Sequence, residues 1–548
     1  MRKVSLMLFA ATLVIVFLIG CGTTTPSTTP AITGPTTTMA PATTKPPATT
    51  TLPATAPATT PPVITAQPKY GGTFTWIHNG GITEIASVID GAVSYRSLIP
   101  IFDNLLSVDK DGNPIPNLAE SWQVAADGKS ITFKLRQGIK FHDGTDFNAE
   151  AVKYNMEQMF AKNVRGAASL ASVASYEIID NLNIKFNLKQ YDALLITRLA
   201  QTTIGMIASP TALKKETTAE NRAQLHAVGT GPFIFDGWQR DSFVKYKANP
   251  NYWKGKPYLD AIVIKNIPDI TVSIISLKAK EAQAVATIDP VDGLALQKEG
   301  YVLQRGTLLF IHSFVPDGAN PKSPFADVRV RQALEYAIEK SAMAEGIGMG
   351  FFDVAYQSAM PDDPFYVSGL SERKYNPDKA RQLLKDAGYP NGFKTKIVSD
   401  VRVRKDSLVA VQTYLAMVGI QTELDMADVA RSTVINSNGW EGIYFPGFPV
   451  PNNLYSLAAN WGATNSRVSV YKQAGFMEKW NALYAQPDQA KLNAQWRELT
   501  KIMHDDVMYI PYQADRSLDV LAKELRGFFL RANKTVDYWE PAKVWLDK

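Results

Sequence analysis

The sequence predicts a mixed α/β protein, because short segments of alternating apolar residues are interspersed with amphipathic helical segments from residue 71 onward. Hydrophobic residues make up 45% of the 548 residues and charged residues 20%, which are ordinary values for a globular protein. At roughly 150 residues per domain, the length corresponds to about three or four domain-sized units. We therefore expect more than one core.

Two hairpins are predicted from alternation and turn residues. Residues 130–136 alternate polar and apolar side chains directly after Asp127-Gly128. Residues 176–188 form a second such pattern around Asp180-Asn181. Both patterns predict antiparallel strand pairs.

Helices are predicted at residues 148–160, 327–345, 376–387, 406–418 and 487–504. The third is the best specified of these. Asn376 can cap it, Pro377 suits its first turn, and Gly388 ends it.

Residues 1–21 predict a lipoprotein signal peptide. Arg2 and Lys3 precede an apolar run over residues 4–17, which is the layout of a secretory signal. The closing Leu-Ile-Gly-Cys resembles a bacterial lipobox, and this resemblance implies that the thiol of Cys21 accepts a diacylglycerol. An ordinary signal peptide with a stray cysteine is the alternative. Because Cys21 is the single cysteine, an intramolecular disulfide is excluded.

Residues 22–68 predict a disordered tether. The segment contains 18 Thr, 11 Pro and 8 Ala among its 47 residues. Such a composition buries too little apolar surface to offset the entropy of ordering, and its prolines favour an extended chain. We expect it to hold a folded body away from a membrane.

Charge and motifs argue against nucleic-acid binding and against catalysis. Residues 1–68 carry three cations and no acid, which leaves a net charge of +2 for residues 69–548. No Gly-x-Ser-x-Gly nucleophile elbow occurs, and residues 128–130 lack the upstream glycine of a phosphate loop. The five histidines are too far apart in sequence for a local metal site. We expect no enzyme activity, cofactor, bound metal or nucleic acid.

Residues 98–156, LIPIFDNLLSVDKDGNPIPNLAESWQVAADGKSITFKLRQGIKFHDGTDFNAEAVKYNM, closely resemble the signature region of family 5 extracellular solute-binding proteins. These are the peptide, dipeptide and nickel-type receptors of ABC importers. Supporting blocks are GGTFTW at 71–76, GTGPF at 229–233, NPNYWKGKPYLD at 249–260, FADVRVRQALEYAIEK at 325–340 and NPDKARQLLKDAGYPNGF at 376–393. The resemblance covers about residues 70–515.

The resemblance implies a bilobed periplasmic-binding-protein (type II) fold with an extra α/β subdomain in the first lobe. The implied segments are 69–113, 223–308 and 514–548 for the first lobe, 114–222 for the extra subdomain and 309–513 for the second lobe. The chain would cross between lobes near Leu309 and Gln513, and these crossings would act as a hinge. A ligand in the cleft would contact both lobes and favour the closed state.

One departure from the family concerns the ligand. In peptide-binding relatives, a second-lobe aspartate shortly before a proline holds the peptide ammonium. If Pro451 is that proline, Gly447 stands in place of the acid. An ammonium buried without a carboxylate is costly, so we expect a lost preference for free peptide N-termini. Alternatively, the aromatic residues nearby belong to the core and another acid, such as Glu441, serves instead.

The candidate ligand-binding residues follow from the implied position of the cleft. Aromatic faces suit sugar rings, aromatic groups or apolar ligands. The candidates are Trp76, His78 and Asn79 at the first strand, Phe310 and His312 beside the hinge, and Tyr444, Phe445, Phe448 and Trp461 in the second lobe.

The resemblance implies a lipid-anchored receptor on the outer face of the cell membrane, in the periplasm or at the cell surface. It would act as a monomer, capture a peptide, glycan or apolar solute, and deliver it to ABC permease and ATPase subunits. Two alternatives use the same fold, namely a surface sensor or chaperone and a receptor for a nickel-type metal chelate. A lipid-anchored hydrolase is a further class, which the missing motifs disfavour.

Overall fold

The structure is a computed structural model that describes residues 67–78, 85, 87, 95–109, 113–162, 167–218, 220–361, 363, 365–370, 372–401, 403–446, 450–451, 467–529, 531–532 and 537–548. The predicted signal peptide, Cys21 and the tether up to residue 66 lie outside these ranges, as do Asn79, Phe448 and Trp461. Within the described ranges, no helix is long and apolar enough to span a membrane.

The strands, in chain order, are β1 (Thr73–His78), β2 (Leu106–Val108), β3 (Pro114–Pro116), β4 (Ala119–Val124), β5 (Ser130–Leu135), β6 (Val173–Asp180), β7 (Asn183–Leu188), β8 (Phe233–Gln239), β9 (Phe243–Ala248), β10 (Ala261–Asn266), β11 (Ala284–Val285), β12 (Val302–Pro316), β13 (Phe393–Asp400), β14 (Ile420–Ala427), β15 (Ile443–Phe445), β16 (Val450–Pro451), β17 (Ile510–Leu521), β18 (Leu525–Arg526), β19 (Arg531–Ala532), β20 (Asp537–Tyr538) and β21 (Trp545–Leu546).

The α-helices, in chain order, are α1 (Tyr95–Leu98), α2 (Ala149–Ala161), α3 (Leu195–Gln201), α4 (Pro210–Leu213), α5 (Arg222–His226), α6 (Ile270–Lys278), α7 (Pro290–Lys298), α8 (Val328–Ala337), α9 (Lys340–Gly348), α10 (Pro377–Asp386), α11 (Lys405–Met417), α12 (Val429–Asn438), α13 (Phe476–Tyr484) and α14 (Gln489–Asp505).

An eleven-stranded sheet has the order β14-β13-β15-β12-β17-β11-β1-β10-β9-β8, with β16 beside β12. On one side of the sheet β13 pairs in parallel with β14 and β15, and on the other β1 pairs in parallel with β10 and β11. The long antiparallel strands β12 and β17 join these two halves. They contain Leu309 and Gln513, where the sequence predicts the chain crossings. The predicted mixed α/β class is confirmed.

A second sheet, with the order β4-β5-β7-β6, falls within the predicted extra subdomain. Both predicted hairpins are present in it. At the first turn, Gly128 has a φ of +68° and the Asp127 carboxylate accepts the Lys129 amide over 2.9 Å. At the second, the Asp180 carboxylate accepts the Leu182 amide over 2.8 Å. Short Asp side chains thus close both turns.

Four predicted helices are confirmed as α2, α10, α11 and α14. The single helix predicted at 327–345 is wrong, because the structure breaks it into α8 and α9 at an extended Ile338. The break turns Lys340 into the core, where its Nζ lies 3.4 Å from Glu335 Oε1. A buried pair of opposite charges therefore accompanies the break that helical periodicity did not reveal.

Buried apolar residues of the described ranges form separate clusters. One surrounds Trp76 and Phe133, a second contains Trp480 and Trp496, and a third surrounds Phe314. The expectation of more than one core is confirmed.

Candidate ligand-binding site

Four side chains lie on one face of the sheet where β12 pairs with β17. The strand register sets Phe310 opposite Asp515 and His312 opposite Gln513. Opposed residues of an antiparallel pair share a face, and so do residues two apart on one strand. These four residues therefore point to the same side, which we call the crossing face.

The other side of the same strands is covered by protein. Ile311 and Ala514 pack with Ala355 in an apolar cluster. At the edge of β17, within the plane of the sheet, Asp353 and Ala514 exchange two backbone hydrogen bonds of 2.7 Å. On the crossing face, by contrast, the side chain of His312 is 27% exposed and that of Asp515 is 18% exposed. The crossing face is thus the more exposed side of these strands at His312 and Asp515.

Hydrogen bonds join the polar atoms of the crossing face. His312 Nε2 lies 2.9 Å from Asp515 Oδ1, and Gln513 Nε2 donates to Asp515 Oδ2 over 3.1 Å. Since an ionised carboxylate only accepts, Nε2 of His312 carries the proton. Burial raises the pKa of the neighbouring Tyr512, and the negative charge of Asp515 adds to this effect. Asp515 is therefore the source of negative charge on this face.

The segment that contains Gly447 rejoins the sheet beside the crossing face. β16 pairs with β12 so that Pro451 opposes Phe310, and Phe310 in turn opposes Asp515. These three residues form one row across neighbouring strands. Because strands lie about 4.8 Å apart, the backbones of Pro451 and Asp515 are separated by about 10 Å. Gly447 itself lies outside the described residues.

The expectation that Tyr444 and Phe445 offer open faces to a ligand is not met. Tyr444 is fully buried and its hydroxyl lies 3.2 Å from Ser432 Oγ. Phe445 stacks on Phe314 with ring centroids 5.1 Å apart. The physical reason is that cores cover both sides of β15, so alternating side chains of this strand are interior on either face.

Glu441, the alternative acid, lies at the surface. Its side chain is 76% exposed, and Oε2 lies 3.2 Å from Lys396 Nζ. The Glu441 side chain is therefore exposed to solvent and is held by Lys396. In the structure the Glu441 carboxylate thus pairs with Lys396 rather than with a residue of the crossing face.

Trp76, a first-strand candidate, is a core residue. It is fully buried, and its ring centroid lies 5.2 Å from that of Phe528 and 5.6 Å from that of Trp539. The correction has a simple cause, since β1 is an interior strand of the main sheet. His78 is partly buried at the end of β1, with its ring 5.9 Å from the Trp76 ring. Asn79 follows outside the described residues.

His78 and the crossing face lie on the same side of the main sheet. Trp76 and Leu521 belong to one core cluster. On β17, Leu521 lies an even number of positions along the strand from Asp515, so the two side chains share a side. On β1, His78 shares the side of Trp76 for the same reason. Strand register thus places His78, Phe310 and His312 on one side of the main sheet.

Two contacts join segments that the sequence assigns to different lobes. Arg404 Nη1 contacts Asp289 Oδ1 in an ion pair. The amide of Ala193, in the predicted extra subdomain, donates to the carbonyl of Tyr484 over 2.9 Å, and Leu194 packs into the same core cluster as α13. These contacts therefore connect segments of the two predicted lobes in the structure.

A cavity of about 370 Å³ lies elsewhere, in the predicted first lobe, and sequence reasoning missed it. Asp103 and Lys254 belong to its lining. Asp103 accepts hydrogen bonds from the Tyr252 hydroxyl over 3.0 Å and from Trp253 Nε1 over 2.9 Å. The Asp103 carboxylate therefore anchors the NPNYWKGKPYLD block through Tyr252 and Trp253.

Sequence reasoning also missed Asp515, which lies in no motif. The one signal for it was its nearness to the predicted crossing at Gln513.

Among the described residues, no three His, Cys, Asp or Glu side chains are grouped to hold a metal ion.

The chain has the type II fold of solved periplasmic binding proteins. DppA of Helicobacter pylori, solved in complex with the peptide STSA, superimposes with a TM-score of 0.74 at 24% identity, covering 88% of this chain and 99% of DppA. NikA of Brucella suis, solved in complex with Fe(III)-EDTA, gives 0.75 at 20% identity, covering 87% and 100%. At such identities the likeness establishes the fold.

The family follows from sequence. The profile described as bacterial extracellular solute-binding proteins, family 5, middle, matches residues 113–464. The glutathione-binding protein GsiB of Shigella flexneri is 30% identical over 446 residues, which are 78% of this chain and 86% of GsiB. The chain belongs to family 5 of the bacterial extracellular solute-binding proteins, as the resemblance implied. These relatives are binding proteins rather than enzymes.

Proposed function

We propose that this chain is the extracytoplasmic receptor of an ABC importer. It is held at the outer face of the membrane through lipid on Cys21, acts as a monomer without chemistry, and captures a small solute at the crossing face. The family match over residues 113–464 is the observation that carries this proposal. The partly exposed polar cluster at the junction of β12 and β17 supports the position of the site.

The receptor works by a shift between open and closed states. β12 and β17 act as the hinge, and solute contacts both lobes only when they close. A ligand that moves such an equilibrium from 1:99 to 99:1 must bind the closed state about 10⁴-fold more tightly. Closure then presents the loaded receptor to the permease.

Peptides are the first solute class to test, since relatives are named for glutathione and peptide binding. The full chain is extracted from membranes in detergent and its co-purifying solute is identified by native mass spectrometry after release. A released peptide, glycan or apolar compound supports a receptor. A metal chelate favours the nickel-type alternative, and turnover of an ester or glycoside panel would contradict the proposal.

The anchor is tested separately by intact mass. Wild-type protein is expected to lack residues 1–20 and to carry acyl mass on Cys21, whereas Cys21→Ser is expected to lose the acyl mass and leave the membrane fraction. An unmodified Cys21 in the membrane fraction would contradict lipid anchoring while leaving solute capture open.

A further inference from the structure

One residue of the predicted extra subdomain is buried in the core of the other lobe. Leu194 is 3% exposed and belongs to the apolar cluster that contains Trp480. Among the described residues, every other buried member of that cluster lies between 315 and 509, within the predicted second lobe. Leu195, the next residue, belongs instead to the cluster around Trp76. Two neighbouring leucines thus pack into different cores.

The backbone beside Leu194 is bonded to a helix of the second lobe. The Ala193 amide donates to the carbonyl of Tyr484, the last residue of α13, over 2.9 Å. The last carbonyls of a helix have no partner within it, so Ala193 supplies an acceptor of α13 with a donor. The contact between subdomain and lobe therefore combines a buried apolar side chain with a backbone hydrogen bond.

Asp192 fixes the shape of this segment from the subdomain side. Its carboxylate accepts the Leu194 amide over 3.0 Å, the Ser172 hydroxyl over 2.8 Å and Arg198 Nη1 over 2.7 Å. The side chains of Asp192 and Arg198 are only 9% and 11% exposed. A segment that is already held in one conformation loses little entropy when it docks against a partner. The subdomain thus presents Leu194 ready to enter the second lobe.

The position of this contact gives the extra subdomain a role in closure. The predicted crossings lie on β12 and β17, which join the two halves of the main sheet, and no covalent crossing joins residues 192–194 to α13. A rotation of the lobes about those strands therefore breaks the contact. We propose that residues 192–194, which we call the subdomain latch, hold the receptor closed over its solute. Leu194 is then a positioning residue for solute retention, and this inference rests on the proposed receptor function.

Opening of the latch carries a cost in the apolar surface that it exposes. Leu194 and the part of the second-lobe core that covers it both meet water when the contact breaks, which disfavours the open state. The affinity of a receptor for its solute falls with the fraction of protein in the binding-competent state. Truncating Leu194 is therefore expected to favour opening and to speed the release of solute.

Hydrogen–deuterium exchange on the full chain in detergent tests the latch from both sides. The protein is measured as purified, with the solute that it has captured, and again after dialysis in mild denaturant and refolding have removed that solute. We expect removal to raise exchange at residues 191–195 and 480–486 together, because the Ala193 amide loses its acceptor and α13 loses its cover. The Asp180-Asn181 turn, which lies within the subdomain, is the internal reference.

Variants of the two neighbouring leucines separate the latch from general stability. Leu194→Ala removes the side chain that enters the second lobe, whereas Leu194→Met keeps most of its apolar volume. Leu195→Ala is the matched control, since it removes the same group from the other core. Native mass spectrometry after rapid desalting times the release of the captured solute, and thermal unfolding confirms that each variant is folded.

We expect Leu194→Ala to release solute about tenfold faster or more, because a buried leucine no longer opposes opening. Leu194→Met is expected to release it at nearly the wild-type rate. Leu195→Ala is expected to lower the unfolding temperature and to leave release unchanged. Equal acceleration in both alanine variants would show that lost stability is responsible, and this result overturns the inference.

Exchange that stays the same at both segments when solute is removed overturns the inference and leaves the receptor function standing. Release from folded Leu194→Ala at the wild-type rate does the same. The exchange comparison uses wild-type protein, so it decides the inference even where a variant does not fold. A wild-type protein that captures no solute at all contradicts the receptor function, and the inference falls with it.

Discussion

The hydroxyl of Tyr444 lies in the core and donates toward Ser432. A buried hydrogen bond contributes about 1 kcal/mol to stability. We expect Tyr444→Phe to lower the free energy of unfolding by about this amount and to leave solute affinity unchanged. Denaturant unfolding and calorimetric titration measure the two effects.

Ser432→Ala supplies the control for Tyr444. If the two groups bond each other, the double variant loses less stability than the sum of the single variants. Loss of affinity with unchanged stability in Tyr444→Phe would show that the hydroxyl contacts solute after all.

A largely buried histidine, His142, lies in the predicted extra subdomain. His142 Nε2 donates to the Gly231 carbonyl over 2.9 Å, and Nδ1 is buried without a hydrogen-bond partner among the described residues. Burial lowers the pKa of His142 below its ordinary value of 6.5, although Gly231, Asp103 and Asp143 oppose this. A proton on Nδ1 would be buried without an acceptor, which explains why the pKa of His142 is lowered.

This lowered pKa predicts acid sensitivity. Below the unfolded pKa the unfolded chain takes up a proton that the folded chain does not, so stability falls as pH drops from about 7 toward 5. We expect His142→Gln to flatten this part of the curve of unfolding temperature against pH. Superimposable wild-type and variant slopes in this window would contradict the assignment.

At the scale of the element, α10 shows how local sequence specifies a helix. Asn376 caps it by accepting the Lys379 amide over 2.9 Å, and Pro377 occupies the first turn. Leu383 and Leu384 are buried on its inner face, and Gly388 ends it with a φ of +94°. Each of these features was predicted because each depends on near neighbours in sequence.

We expect Asn376→Ala to lower the free energy of unfolding by about 1 kcal/mol, because a helix N-terminal amide loses its acceptor. Asn376→Ser is the matched control, since serine caps comparably. Urea unfolding distinguishes the two variants. Equal losses of stability for alanine and serine would show that the side chain acts through something other than capping.

The GTGPF block shows where local reasoning fell short. The block was recognised from its sequence, but the reason for Gly229 and Gly231 is close approach of another segment. A Cβ at Gly229 would lie 2.2 Å from the carbonyl oxygen of Ile101, and one at Gly231 would lie 2.6 Å from the Ile101 carbonyl carbon. Only the folded chain brings Ile101, more than a hundred residues earlier, against this segment.

At the scale of the whole molecule, the Arg404–Asp289 pair links segments assigned to opposite lobes. Its side chains are 35% and 56% exposed, so the pair contributes about 0–1 kcal/mol and weakens with salt. If the pair forms only on closure, Arg404→Gln weakens solute binding by up to about fivefold at low salt. Titrations at low and high salt measure this effect.

Arg431→Gln is the matched control for this prediction. Arg431 pairs with Asp425 at 2.6 Å, and both lie within the predicted second lobe. The Arg431→Gln variant therefore removes a comparable surface ion pair and leaves the Arg404–Asp289 contact between the lobes intact. An equal loss of affinity in both variants would show that general charge, rather than closure, is responsible.

The sequence by itself determined the family, the α/β class, both hairpins and four of five helices. These depend on short-range periodicity, turn chemistry and recognisable blocks, all of which are local properties of the chain. It also singled out His312 and Phe310, which lie on the crossing face.

Only the tertiary structure decided which side chains face inward. Trp76, Tyr444 and Phe445 are core residues because sheet faces covered on both sides leave no free aromatic surface. Asp515 joins the polar cluster of the crossing face because strand register places it beside His312, about two hundred residues away. Burial and long-range register arise from packing between distant segments, and no local pattern encodes them.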